Sequence, residues 1–184
     1  MPFPAASCMS EEDFFNFLRT QDKKWELIRG KAVILAGRNQ RHRDITANTL
    51  TSLYAQLREK RCRATAVDTG ICTSQGTVRY PDVVVDCGLR DDQAMLATEP
   101  AVVIDVLSPS TNDFDSHRKV LEYKAKPEIA HILLIDTNDV GALLHYRDAD
   151  GWCETMYASV DDVIGLPKIG ATLRLRDVYF GLEF

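Results

Sequence analysis

The sequence contains no apolar run long enough to cross a membrane. Such a span needs about 18–20 consecutive apolar residues, and no segment of the 184 residues reaches that length. The first residues, Met1-Pro-Phe-Pro-Ala-Ala-Ser-Cys8, also lack the basic stretch that begins a secretory signal. We therefore expect a cytoplasmic protein without a membrane partner.

Several short signatures of common protein classes are missing as well. The five cysteines are widely spaced and form no C-x-x-C pair, so we expect them to be reduced rather than part of a disulfide framework or a zinc site. There is no phosphate-binding loop and no dinucleotide fingerprint. Ser108 and Ser110 stand outside any G-x-S-x-G turn, which argues against a serine hydrolase.

An excess of positive charge is also lacking, because 22 Lys and Arg residues stand against 27 Asp and Glu residues, a net charge of −5. A protein that coats nucleic acid gains its affinity from many Lys and Arg side chains, so the balance argues against that class. It does not exclude a nuclease, because acids that hold a divalent metal are neutralised in the working enzyme. Two local basic stretches, residues 38–43 and 58–63, remain available for phosphate contacts.

The composition, 45% hydrophobic and 27% charged, fits one globular domain. Periodicity and turn residues predict an α/β fold, a mixed β-sheet flanked by helices. The predicted parts are a helix and hairpin over 10–36, a core over 42–136, and a hairpin and tail over 140–184. The predicted helices are 10–20, 42–60 and 113–126; the predicted strands are 25–28, 31–35, 63–67, 71–73, 78–86, 101–107, 131–136, 142–147 and 152–158, with 63–86 as an antiparallel meander and 172–184 as a closing strand or short helix.

Two acids lie inside apolar, β-branched segments of the predicted core. Asp82 follows Tyr80-Pro81, and Asp105 lies within 101–107. A carboxylate in a core strand is costly unless it is paired or holds a metal. If the two strands are neighbours, both acids can share a hard cation such as Mg²⁺. The alternative is that Asp82 only opens a strand and Asp105 pairs with an arginine.

Three further residues are candidates for the chemistry. Lys119 lies one helical turn after Asp115 and one before Tyr123, so it could orient water or stabilise charge near a metal, although a solvated pair with Asp115 is the commoner arrangement. Glu26, on a predicted strand, and His42, at a predicted helix start, could complete a ligand set or contact phosphate. A lone residue of either type is more often structural.

Longer motifs resemble a known family. Pro81-Asp82 with Asp105-Val-Leu107 resembles the PD-(D/E)XK nuclease signature. Trp25-Glu-Leu-Ile-Arg-Gly30, Ile104-Asp-Val-Leu-Ser-Pro-Ser-Thr111, Lys119-x-x-x-Tyr123 and His131-Ile-Leu-Leu-Ile-Asp136 resemble the Uma-two family of restriction-endonuclease-like proteins. The resemblance spans about residues 10–184.

This resemblance implies a restriction-endonuclease-like core in which Mg²⁺, or Mn²⁺ as a substitute, promotes attack of water on a DNA phosphodiester. Asp82, Asp105 and the backbone carbonyl of Val106 would be metal ligands, and Lys119 the catalytic lysine. Cutting two strands needs two sites, which implies a homodimer.

Three positions depart from the family pattern. Leu107 fills the usual lysine slot, Asp105 replaces a glutamate, and Lys31 follows Gly30 where relatives have Glu. The aspartate at position 105 and the acidic net charge favour the alternative function, a non-catalytic nucleic-acid-binding or scaffold protein that retains the fold.

Overall fold

The computed structural model describes residues 8–35, 37–66, 68–107 and 113–184. The predicted turn after residue 107, with Ser108 and Ser110, lies outside these ranges. The elements in chain order are α1 (Glu11–Leu18), β1 (Trp25–Ile28), β2 (Lys31–Ile34), α2 (Gln40–Leu57), β3 (Arg63–Ala66), β4 (Ile71–Ser74), β5 (Thr77–Arg79), β6 (Val83–Asp86), β7 (Pro100–Leu107), α3 (Asp113–Lys124), β8 (His131–Asp136), β9 (Ala142–Arg147), β10 (Trp152–Tyr157), β11 (Val163–Leu166), a 3₁₀ turn (Pro167–Ile169), β12 (Ala171–Arg174) and α4 (Leu175–Val178).

The main sheet has six strands in the order β10-β9-β8-β7-β6-β3. The β7–β8 pair is parallel and is connected through α3, while the other neighbours are antiparallel. β7 lies in the interior of this sheet and is buried from Pro100 to Val106, as its uniformly apolar sequence predicts. The predicted fold class, a mixed sheet flanked by helices, is confirmed.

Both faces of the main sheet are covered by helices. Ile45, Leu53 and Leu57 of α2 pack in the hydrophobic cluster that also contains Val102 and Ile104 of β7. Val103 belongs to the opposite cluster, with Val120 and Tyr123 of α3. Because side chains alternate along a strand, Asp105 shares the α3 face with Val103. The register of β7 therefore directs Asp105 toward the helix that carries Lys119.

The prediction of one strand over 78–86 is wrong. β5 belongs to a second sheet in the order β2-β1-β5-β4, whereas β6 pairs with β7 and β3 of the main sheet. The predicted meander is right only for the antiparallel pair of β4 and β5, because β3 pairs with β6 rather than with β4. The strand breaks at Tyr80-Pro81, because proline donates no ladder hydrogen bond. Asp82 follows this break, at the crossing between the two sheets.

The prediction that all cysteines are reduced is also wrong. Cys62 and Cys87 form a disulfide with their Cα atoms 4.0 Å apart. Arg63 of β3 lies opposite Asp86 of β6 in the antiparallel register, and the next residue outward on each strand is a cysteine. The pairing of β3 with β6 therefore brings together two cysteines that are 25 residues apart in sequence.

The C-terminal part contains an unpredicted strand, β11, which pairs with β12. The tail forms both predicted alternatives, a strand (β12) followed by a short helix (α4). α3 begins at Asp113, so Asp115 lies in its first turn. None of the described helices is long and apolar enough to cross a membrane.

Candidate active site

All the residues predicted for the site line one cavity of about 250 Å³. β1 contributes Glu26, the start of α2 contributes His42, and the crossing between β5 and β6 contributes Asp82. The end of β7 contributes Asp105 and Val106, and α3 contributes Lys119. The fold therefore gathers side chains from five separate parts of the chain.

Asp105 is buried in this cavity, and its Oδ2 atom has no hydrogen-bond partner among the described residues. Burial raises the pKa of the Asp105 carboxyl, and the nearby charge of Lys119 opposes this rise only in part. Leaving a buried acceptor unsatisfied costs free energy. The oxygen is therefore available to a cation.

Asp82 is held over the end of β7. Its Oδ2 accepts a hydrogen bond of 2.8 Å from the backbone N–H of Val106, and its own backbone N–H donates to the carbonyl of Ile104 at 3.0 Å. Its Oδ1 forms an ion pair with Arg38, and His42 Nε2 lies 3.2 Å from Oδ2. Asp82, immediately before β6, and Asp105, in the neighbouring strand β7, thus line the same cavity.

Glu26 is buried, and both of its carboxylate oxygens are engaged. Oε1 accepts from Lys119 Nζ at 2.9 Å and from the backbone N–H of Tyr80 at 3.1 Å, while Oε2 accepts from Arg79 at 2.7 Å. Burial alone would raise the pKa of Glu26, but the charges of Lys119 and Arg79 outweigh it and lower the pKa. Glu26 is therefore an ionised anchor for these two cations.

Lys119 faces the cavity rather than solvent, with only 11% of its side chain exposed. Burial lowers the pKa of its ammonium group, but the charges of Asp105 and Glu26 exceed that effect, so the net pKa is raised. The ammonium is charged at neutral pH. This geometry favours the site interpretation of Lys119 over a solvated pair with Asp115.

His42 is buried and lies against Arg38, whose Nη1 atom is 2.6 Å from its Nε2. Burial, and secondarily the charge of Arg38, lowers the pKa of His42 to about 4. The ring is therefore neutral at pH 7. It contacts Asp82 and Arg38 as a neutral hydrogen-bonding group and does not offer phosphate a positive charge.

Two arginines of the site were not singled out from the sequence. Arg38 lies on the connection between β2 and α2, where the sequence showed only a local basic stretch. Its charge also acts on Asp105 and Glu26. Arg79 is fully buried on β5 and contacts Glu26, Glu122 and Asp115 at 2.7, 2.7 and 3.3 Å. A cation inside an apolar strand, next to Tyr80-Pro81, was the signal that could have revealed Arg79.

The donors fit a sparsely ligated hard cation. Within the described ranges, no group of three or more His, Cys, Asp and Glu side chains has metal-binding geometry. Mg²⁺, however, keeps several waters and often takes only one or two carboxylates from the protein. The unpartnered oxygen of Asp105, the carboxylate of Asp82 and the backbone of Val106 match that requirement, although a cation must compete with Arg38 for Asp82.

The fold and the site together have the features of a restriction-endonuclease-like protein. A family profile described as "Putative restriction endonuclease" (Uma2) matches residues 11–176. The chain belongs to this family.

Similar proteins cover most or all of the chain. The uncharacterized protein slr1290 of Synechocystis sp. is 28% identical over 185 residues, covering 100% of this chain and 96% of the relative. The uncharacterized protein sll1609 of the same organism is 28% identical over 118 residues, covering 62% of this chain and 67% of the relative. The crystal structure of a "putative nuclease" from Anabaena variabilis aligns with a TM-score of 0.74 at 17% identity, covering 92% of this chain and 97% of that one. This last similarity shows a shared fold.

Proposed function

We propose that the protein is a nuclease that uses Mg²⁺, or Mn²⁺ as a substitute, to hydrolyse DNA phosphodiester bonds in this cavity. The observation that carries the proposal is the buried Oδ2 of Asp105, which has no hydrogen-bond partner in the part of the chain that the structure describes, in a cavity shared with Asp82 and Lys119. A structural acid would be expected to satisfy its oxygens within the protein. Family membership supports the same reaction class.

Each residue has a distinct role in this proposal. Asp82, Asp105 and the carbonyl of Val106 would hold the metal, which when bound supplies Lewis-acid activation of a water molecule. Lys119 stabilises negative charge that develops on the phosphate oxygens during attack. The 2.9 Å contact with Glu26 fixes the position of the Lys119 ammonium. The negative charge of Glu26 also offsets the repulsion between this ammonium and the metal ion.

Arg79 and Arg38 act differently from each other. Arg79 is fully buried and bonded to Glu26, so it positions Glu26 and through it Lys119. Arg38 lies on a connection with 27% of its side chain exposed. It is therefore placed to exchange its ion pair with Asp82 for one with a substrate phosphate when a metal takes Asp82.

Calorimetric titration with Mn²⁺, combined with a DNA cleavage assay, tests the proposal. We expect the unaltered protein to bind Mn²⁺ and to cut DNA in a metal-dependent manner, and Asp105→Asn to lose both. Val103→Ala, on the same face of β7 but outside the cavity, is the control for altered packing. Wild-type Mn²⁺ binding and cleavage by Asp105→Asn would contradict the proposal.

The second candidate is a non-catalytic nucleic-acid-binding protein with the nuclease fold. The ion pair between Asp82 and Arg38 favours it, because this pair already neutralises one proposed metal ligand. DNA binding without Mn²⁺ binding or cleavage in the same experiments would support this alternative. We further propose that the protein is a homodimer, because cuts on two strands need two active sites, and that it is cytoplasmic. Analytical ultracentrifugation tests the homodimer.

A further inference from the structure

A second cavity, of about 800 Å³, opens beside the candidate active site. The two cavities share lining residues, among them Ile34, Leu35, Arg38, His42 and Asp82. A group bound in the second cavity would therefore be adjacent to a phosphate held by Arg38 and by a metal ion at Asp82. The volume lies within the roughly 300–1,000 Å³ typical of small-molecule sites.

The lining of this cavity combines apolar surface with positive charge. Ala47 and Leu50 of α2, together with Tyr80 and Pro81, contribute apolar surface. The charged side chains that line it are Lys23, Lys24, Arg38 and Arg43 against Asp68 and Asp82; Lys24 and Asp68 form an exposed ion pair of 3.7 Å. The cavity therefore has an excess of positive charge beside an apolar surface.

Tyr80 supplies an independent sign that a polar ligand binds here. Tyr80 lines the cavity and is only 9% exposed, and its buried hydroxyl has no hydrogen-bond partner among the described residues. A buried hydroxyl without a partner is unfavourable. A ligand with a hydrogen-bonding edge would satisfy it while its flat face meets the apolar lining.

We propose that this cavity binds an unpaired nucleotide next to the phosphate at which the chain is cut. An aromatic and apolar surface receives the base, an orphaned hydroxyl meets its polar edge, and the surrounding cations meet the flanking phosphates. A base inside a duplex stack cannot enter such a cavity without being extruded, which costs free energy. The inference rests on the proposed nuclease function and specifies its substrate as a strand with at least one unpaired nucleotide.

Filling the cavity tests this inference without requiring catalysis. The probe is a ten-nucleotide single-stranded oligodeoxynucleotide with a central 2-aminopurine, titrated in EDTA so that no metal-dependent cleavage occurs. We expect Ala47→Trp to weaken its binding at least tenfold. Ala55→Trp, an exposed position about two turns further along α2, is the matched control and should leave binding unchanged.

Two further measurements sharpen the test. Tyr80→Phe removes only the unpartnered hydroxyl and should weaken binding about two- to tenfold, the range for one neutral hydrogen bond, without lowering the melting temperature. The fully paired duplex of the same sequence should bind the unaltered protein more weakly than the single strand. A ribonucleotide version of the probe shows which sugar is accepted. A tenfold loss of affinity for either single-stranded probe in Ala47→Trp supports the inference.

The inference is overturned if a folded Ala47→Trp protein binds both single-stranded probes, the deoxyribonucleotide and the ribonucleotide version, as tightly as the wild-type protein does. Equal binding of duplex and single strand by the unaltered protein would overturn it as well. These failures can be distinguished from failure of the proposed function. Metal-dependent cleavage with no effect of Ala47→Trp contradicts only the nucleotide cavity, whereas the predicted binding pattern without any cleavage contradicts only the proposed hydrolysis.

Discussion

Replacing Lys119 by Met separates a catalytic lysine from a structural counter-ion. Methionine retains most of the apolar stem but removes the charge that lies 2.9 Å from Glu26 Oε1 and close to Asp105. We expect cleavage to slow by about 10²–10³, the usual effect of removing one preorganised charge from the site where charge develops. Mn²⁺ affinity should change much less, because the lysine is not a ligand.

The same substitution must also affect stability, and the size follows from the geometry. Two unit charges at 2.9 Å attract by about 6 kcal/mol at an effective dielectric constant of about 20. Much of this attraction is offset by the cost of burying both charges, and breaking a buried pair usually costs about 3–5 kcal/mol. Glu26 keeps its bonds to Arg79 and to the N–H of Tyr80, so we expect about 3 kcal/mol, at the lower end.

A double variant distinguishes the two effects. Lys119→Met combined with Glu26→Gln removes both charges of the pair, so it should recover part of the lost stability in urea unfolding but not the lost cleavage rate. The recovery is partial because Arg79 loses Glu26 as a charged partner, although it keeps Glu122 and Asp115. Lys126→Met, just beyond the end of α3, is the control for loss of a lysine outside the cavity. Assays should be performed well below the melting temperature of the least stable variant.

The reasoning is refuted if folded Lys119→Met cleaves at the wild-type rate. It is also refuted if the double variant recovers cleavage together with stability, because Lys119 would then be only the counter-ion of Glu26. In either case Lys119 would have no catalytic role in this cavity.

Three other perturbations test the rest of the structure. Asp82→Asn should abolish the heat of Mn²⁺ binding and lower the stability of the metal-free protein by about 1–3 kcal/mol, because Arg38 loses its charged partner; calorimetry and thermal melting check both, and unchanged Mn²⁺ affinity would exclude Asp82 as a ligand. Replacing Cys62 and Cys87 by serine should cost roughly 3 kcal/mol in urea unfolding, from the chain entropy of a loop of this length, and an unchanged unfolding midpoint would argue against the disulfide. Burial, followed by the charge of Lys168, lowers the pKa of His131. Because the unfolded chain takes up the proton first, the contribution of His131 to the free energy of unfolding should be complete above the ordinary histidine pKa of about 6.5 and fall below it. His131→Asn should therefore lose less stability than the unaltered protein between pH 7.5 and 5, and an equal loss in both proteins would contradict the burial of this histidine.

Local patterns in the sequence were sufficient to identify many elements and several residues that line the candidate site. α2 shows the four-residue spacing of Ile45, Thr49, Leu53 and Leu57, and all four are buried. The alternation of side chains along 101–107 separates Asp105 from its apolar neighbours Ile104 and Val106. Such signals are readable because helix and strand periods depend on neighbouring residues in the chain. The two acids also stand out, because a carboxylate inside an apolar strand demands a partner.

The tertiary structure alone decided which partners these residues have. Arg79 meets Glu26 across 53 positions of sequence, and Cys62 meets Cys87 across 25. The break at Tyr80-Pro81 sends β5 and β6 into different sheets, although the sequence there is nearly continuous in β-forming residues. No local period encodes such contacts, since they arise when distant strands pair and buried charges must find neighbours in the space that remains. For the same reason Arg38 reads in the sequence as part of a basic stretch, and only the folded chain places it against Asp82 and His42.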